Sequence, residues 1–161
     1  MLFRSCAIYV SFNDFSDVKR WEQASPLDAL LRRIAFVLAD PAWNESTDKF
    51  AEFRATKVEV CQITTWLERL KAQNVPCVLL MDEMNNFPEI MASGSEVARD
   101  FAEFLKDNFL RKKGRYFVFS SHVVGTTERL QSYLDYSSES DRKVLTRELP
   151  LVPDQIGRAH V

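Results

Sequence analysis

The sequence predicts an α/β fold, a three-layer sandwich around a mainly parallel sheet. Three observations carry this. Val78-Leu79-Leu80-Met81 is a continuous apolar run that leads straight into Asp82 and Glu83. A run of this kind, entered through Asn74-Val75-Pro76, reads as a strand buried on both faces. Tyr116-Phe117-Val118-Phe119 is a second such run, ending in Ser120-Ser121-His122. Between the strand-like runs the apolar residues recur at helical spacing, and strands alternating with helices argue for a parallel sheet. In an open α/β sheet, ligands bind at the carboxyl ends of the strands. Two carboxylates are therefore placed at the expected chemical edge.

In chain order, Cys6 to Phe12 reads as the first strand, ended by the turn-rich Asn13-Asp14-Phe15-Ser16-Asp17. Ser25-Pro26-Leu27-Asp28 starts a helix, with a cap, a proline at the first helical position and an acid in the first turn. Leu27, Leu30, Leu31, Ile34 and Leu38 share its apolar stripe; Arg32 and Arg33 lie off it. Asp40-Pro41 ends that helix. Asn44 to Thr47 is a second capping region, and Phe50 and Phe53 predict a short helix. Ile63, Trp66, Leu67 and Leu70 predict a stronger one, ending near Asn74.

After the acidic strand come a loop, Asn85-Asn86-Phe87-Pro88, and a polar turn at Ser93-Gly94-Ser95. Ala98, Phe101, Phe104 or Leu105, and Phe109 then mark a helix. Arg111, Lys112 and Lys113 are expected in its last turn, matching the helix dipole, with Gly114 ending it. Thr126 to Tyr133 reads as a short helix, Tyr136 to Arg142 as a polar loop, and Val144 to Leu149 as a last strand. Trp21, Trp43 and Trp66 are expected as core or rim anchors.

Composition narrows the function. The 161 residues suffice for one domain; 46% are hydrophobic, 27% are charged, and the net charge is −2. That balance gives no electrostatic case for nucleic acid or a membrane as partner. Cys6, Cys61 and Cys77 are odd in number, far apart and without a C-x-x-C pair, so a reduced interior is expected. No apolar stretch has transmembrane length. Arg4 breaks the N-terminal apolar stretch, which reads as a strand and not a signal peptide.

The acidic strand resembles the Walker B strand of P-loop ATPases, in which an Asp holds Mg²⁺, usually through water, and the next Glu polarises the attacking water. Those roles would fall to Asp82 and Glu83. The strand ending in Ser120-Ser121-His122 resembles the sensor strand of the same superfamily, where a polar residue reaches the γ-phosphate or the attacking water. Ser121 is the first choice for that role and Ser120 the second. The nearest family pattern is the STAND/AAA-like ATPase module of Crinkler-type effectors and retrotransposon hot spot proteins. It is carried by Ile8-Tyr9-Val10-Ser11-Phe12-Asn13, by residues 26–36, by the acidic strand and by residues 114–122. The resemblance implies an incomplete P-loop NTPase-like core over residues 1–155, with ATP and Mg²⁺ bound and hydrolysed in the full-length parent to switch an attached domain.

The departure from that pattern is the phosphate loop. The chain has no G-x-x-x-x-G-K-[ST], and its only glycines are Gly94, Gly114, Gly125 and Gly157. In the family that loop precedes the strand at Cys6 to Phe12, so the chain reads as the middle of an ATPase core. Its missing strand would leave an exposed edge on Tyr116 to Ser120, or let Val144 to Leu149 close against it. Residues 156–161 read as a translated sequencing adapter and not as native protein, which removes His160 from the candidate ligands.

Other readings stay open. Asp82 and Glu83 can simply end a buried strand where the chain returns to water. Ser120, Ser121 and His122 can be an ordinary loop entering a helix. A non-catalytic interaction domain could keep the fold without the phosphate loop, giving protein partners in place of nucleotide. A metal nuclease could use Asp82, Glu83 and Glu89 but lacks a nearby Lys. The expected location is intracellular, cytoplasmic or nuclear. A secreted effector stays open because the native N-terminus can lie upstream.

Overall fold

The computed structural model describes residues 5–13, 16–39, 47–87 and 95–136. Strand β1 is Cys6–Ser11, followed by helices α1 (Pro26–Ala39), α2 (Thr47–Phe53) and α3 (Val60–Ala72). Strand β2, Cys77–Asp82, leads through a 3₁₀ turn at Met84–Asn86 towards helix α4, Glu96–Leu105. A π-helical turn, Lys106–Leu110, extends α4 before strand β3, Arg115–Phe119, and helix α5, Val124–Tyr136. The three strands form one parallel sheet in the order β1-β2-β3. The three runs read as strands are thus neighbours in one sheet, with the predicted parallel direction. The predicted strand Val144 to Leu149 and the residues Asp40, Trp43 and Glu89 lie outside the described residues.

Register explains which side chains meet. Ile8 pairs with Leu79 and Phe117, and Val10 with Met81 and Phe119. Successive strand residues alternate faces, so these six share one face. Ile8, Leu79, Val10 and Met81 are at most 2% exposed there. Leu30, Leu31 and Ile34 of α1 and Phe101, Leu105 and Phe109 of the α4 region complete that core. The opposite face carries Ala7, Tyr9, Val78, Leu80, Tyr116 and Val118. Tyr116 is 52% and Val118 56% exposed, while Val78 and Leu80 are half-buried. The expectation that Val78 to Met81 is buried on both faces is therefore corrected. The strand alternates, because among the described residues the core lies on one side of the sheet only. The described residues build two layers, not three.

Two further expectations change. The helix before β3 does not end at Gly114: the π turn closes at Leu110, so Arg111, Lys112 and Lys113 follow the helix instead of forming its last turn. Arg111 pairs back to Asp107, and Lys112 lies 3.8 Å from Glu68. Gly114 does adopt a left-handed φ of 79°, a conformation open to a residue without Cβ, and its carbonyl accepts from the Cys77 N–H. Trp21 is not in the core; it is 57% exposed, with the Arg32 guanidinium 5.0 Å from its ring centre.

The larger surprise is Arg33, off the apolar stripe yet 1% exposed. Its Nε donates to the Ser11 carbonyl at 3.2 Å and to the Ser16 carbonyl at 2.9 Å. Its Nη1 donates to the Ala29 carbonyl at 2.9 Å and to Glu22 Oε1 at 3.1 Å. Glu22 is fully buried and is also approached by Arg54 at 3.2 Å and Arg32 at 3.4 Å. One guanidinium fork thus ties the end of β1, the following loop and α1 together, and its charge is balanced by Glu22.

Removing one member of a buried, hydrogen-bonded ion pair leaves the other charge uncompensated. Glu22→Ala is expected to lower unfolding free energy by about 3–5 kcal/mol in urea titrations. Arg33→Lys is expected to fail as a rescue, since an ammonium cannot reach the Ser11, Ser16, Asp17 and Ala29 carbonyls in a fork. A loss under about 1 kcal/mol for Glu22→Ala would show that the cluster is not a structural clamp.

Candidate functional site

The carboxyl ends of the three strands lie side by side because the strands are parallel and in register. Ser11 pairs with Asp82, and Met81 pairs with Phe119, one residue before Ser120. The polar ends predicted from two separate stretches therefore converge. Asp82 is half-buried and both of its carboxylate oxygens have hydroxyl donors: Ser120 Oγ on Oδ1 and, at 3.4 Å, Tyr9 OH on Oδ2. Ser120 Oγ also accepts from the Glu83 N–H at 3.3 Å. One serine hydroxyl thus bridges the two acids' stretch to β3.

Glu83 departs from the strand. Its φ of 60° and ψ of 46° are left-handed, which costs a residue with a Cβ about 1 kcal/mol or more. The turn is held by neighbouring backbone bonds: Met84 N–H to the Ser120 carbonyl at 3.1 Å and Ser120 N–H to the Met81 carbonyl at 2.9 Å. Asn86 Nδ2 donates to the Phe12 carbonyl at 2.9 Å, tying the turn to the end of β1 as well. Phe87, fully buried edge-on against Phe12 with ring centres 4.7 Å apart, anchors the segment from below.

His122 Nδ1 lies 3.0 Å from Glu83 Oε2. With its proton on Nδ1, the ring donates to the carboxylate and leaves Nε2 facing the other way. The ring is 69% exposed and the Glu83 side chain 28%. Ser121 is separate from both acids. Its hydroxyl oxygen lies 3.3 Å from Asn85 Oδ1 and 3.1 Å from the Val123 carbonyl, and its one proton serves either acceptor. Of the two candidate sensor serines, Ser120 therefore touches Asp82 and Ser121 holds the loop after Glu83. Tyr9 and Asn85 were missed as site residues. Tyr9 sits in an apolar strand with nothing in the sequence to mark its hydroxyl, and Asn85 read as loop.

A half-buried carboxylate with two hydroxyl neighbours, as at Asp82, can hold a hydrated cation, and a carboxylate beside an imidazole, as at Glu83, can orient water. Among the described residues, no group of three or more His, Cys, Asp or Glu is placed to hold a metal ion by itself. Any cation at Asp82 would need ligands from a bound molecule and from water. Among the described residues, no helix is long and apolar enough to cross a membrane.

The class these features define is a mixed α/β protein with a three-stranded parallel sheet and a polar cluster at its carboxyl edge. No family model matches the chain, and neither a curated protein nor a solved structure matches it.

Ser120→Ala removes a donor to Asp82 and an acceptor for the Glu83 N–H, and is expected to cost about 1–2 kcal/mol by urea unfolding. His122→Ala breaks an exposed pair and is expected to change stability by no more than about 0.5 kcal/mol. The reverse order would mean that Ser120 is not the bridge described.

Proposed function

We propose that this chain is part of a P-loop-type ATPase core, with its hydrolytic edge at Asp82 and Glu83. The observation that supports the reading is the Ser120 hydroxyl on Asp82, across two parallel strands whose ends carry Walker B-like and sensor-like residues. Magnesium favours one or two carboxylates with phosphate oxygens and water filling its other positions. Asp82, half-buried and flanked by hydroxyls, fits that demand better than a closed protein cage would. Bound with ATP, the metal would supply charge neutralisation on the phosphates. Asp82 would hold it, mainly through water. Glu83 would orient and polarise the attacking water. Ser120, in contact with Asp82, would sense the phosphate end through it, while Ser121 would act by fixing Asn85. The resulting cycle would switch an attached domain.

This sequence carries no phosphate loop, so the backbone N–H cradle and Lys for the phosphates must come from elsewhere. A second reading is an interaction domain that keeps the fold without hydrolysis. It is favoured by the sheet face at Tyr116 and Val118, which are 52% and 56% exposed, a kind of surface that invites a partner.

Residues 1–161 alone are expected to show no saturable, Mg²⁺-dependent ATP binding at micromolar concentrations in titration calorimetry. The deciding step is to extend the reading frame upstream from genomic DNA. An in-frame Gly-Lys-Ser/Thr loop leads to a longer chain in which Asp82→Ala and Glu83→Gln each lower kcat about 10²–10³-fold. A longer frame with no such loop, or one whose turnover ignores both substitutions, rejects the ATPase reading in favour of the interaction domain.

A further inference from the structure

Cys6 and Cys77 are seventy-one positions apart in sequence and direct partners in the β1–β2 register. Their side chains share the core-facing side of the sheet, at the amino ends of the strands and away from Asp82. Adjacent strands lie roughly 4.8 Å apart, inside the Cα separation of roughly 4.4–6.8 Å that a disulfide spans. Both backbones are fixed, Cys6 N–H on the Pro76 carbonyl at 2.8 Å and Cys77 N–H on the Gly114 carbonyl at 2.9 Å. Cys77 is 1% exposed, Cys6 is partly open, and both thiols are free.

We propose that Cys6 and Cys77 form an oxidisable thiol pair, a modification site that an organic disulfide such as oxidised glutathione converts to an intramolecular disulfide. The two thiols differ in a way that orders the steps. Burial pushes the Cys77 thiol up to about 12, with Cys6 adding to the rise. Burial also raises Cys6, but the neighbouring Cys77 thiol works against that rise. Cys6 is therefore the first to ionise as well as the more accessible. Its thiol gives its proton to solvent, and the thiolate attacks one sulfur of oxidised glutathione. The glutathione S–S bond breaks and one glutathione thiolate leaves. Cys77 then loses its proton and attacks the Cys6 sulfur, expelling the second glutathione thiolate. Two cysteine thiols are oxidised and one oxidised glutathione is reduced to two molecules of the thiol. Both raised thiols make the reaction slow near neutrality and faster in alkali.

The test uses the intact chain, whose exposed Cys61 reports that the reagent is active. The folded chain is incubated with oxidised glutathione between pH 7 and 8.5, denatured, treated with iodoacetamide, digested and read by mass spectrometry. The expected product is a Cys6–Cys77 linkage with neither residue alkylated, forming about tenfold faster per pH unit. It should exceed the Cys6–Cys61 and Cys61–Cys77 linkages about tenfold, an excess that disappears when oxidation is run in urea. A lasting glutathione adduct on Cys6 with Cys77 still alkylated would overturn the pair. So would alkylation of both after Cys61 has reacted, or the same distribution of linkages in urea.

Discussion

Parallel pairing of β2 with both of its neighbours is the constraint on which the rest depends. Parallel strands share their amino and carboxyl ends, so one pairing decides what meets at each edge of the sheet. At the carboxyl edge it sets Tyr9, Asp82, Glu83 and the Ser120–His122 segment together. At the amino edge it sets Cys6 beside Cys77. A register shift of one residue on β2 would turn Leu79 and Met81 out of the core. Their burial, at 0% and 2% exposure, fixes the register and therefore both edges.

A parallel sheet needs crossovers, and the first is long. Its fixed point is Arg33 on α1, reaching the Ser11 carbonyl at the end of β1 and the Ser16 carbonyl in the loop beyond. These carbonyls lie where a strand has stopped and no helix has begun, so no regular ladder satisfies them. A buried guanidinium offers five donors in a fixed fork and answers several such acceptors at once. Phe12 and Phe50 flank it with ring centres 5.3 and 4.9 Å from its central carbon, and Glu22 balances the charge.

Glu83 stands out against this regular background. Its left-handed backbone is held by bonds to Ser120, and its side chain by His122. Such strain persists only where the surroundings over-determine it, and it clusters at sites of function. The opposite face of the sheet has a different character. Its Tyr116 and Val118 are apolar and open, where a parallel sheet ordinarily has a second layer.

The sequence by itself marked the three described strands, their parallel direction and most of the described helix positions. Unbroken apolar runs and the 3.6-residue period are local properties that survive without knowledge of neighbours. It also marked Asp82, Glu83 and Ser120, because polar residues abruptly ending an apolar strand are visible one strand at a time. It named Ser121 ahead of Ser120, since which of two adjacent serines turns toward β2 depends on pairing across the sheet. The tertiary structure alone decided that Arg33 is buried, that Tyr9 reaches Asp82, that His122 meets Glu83 and that Cys6 meets Cys77. It alone showed β2 alternating between a buried and a half-buried face. Each of these is a long-range contact, set by register and by what packs on which face, and an apolar run reads the same whether one side of it is covered or two.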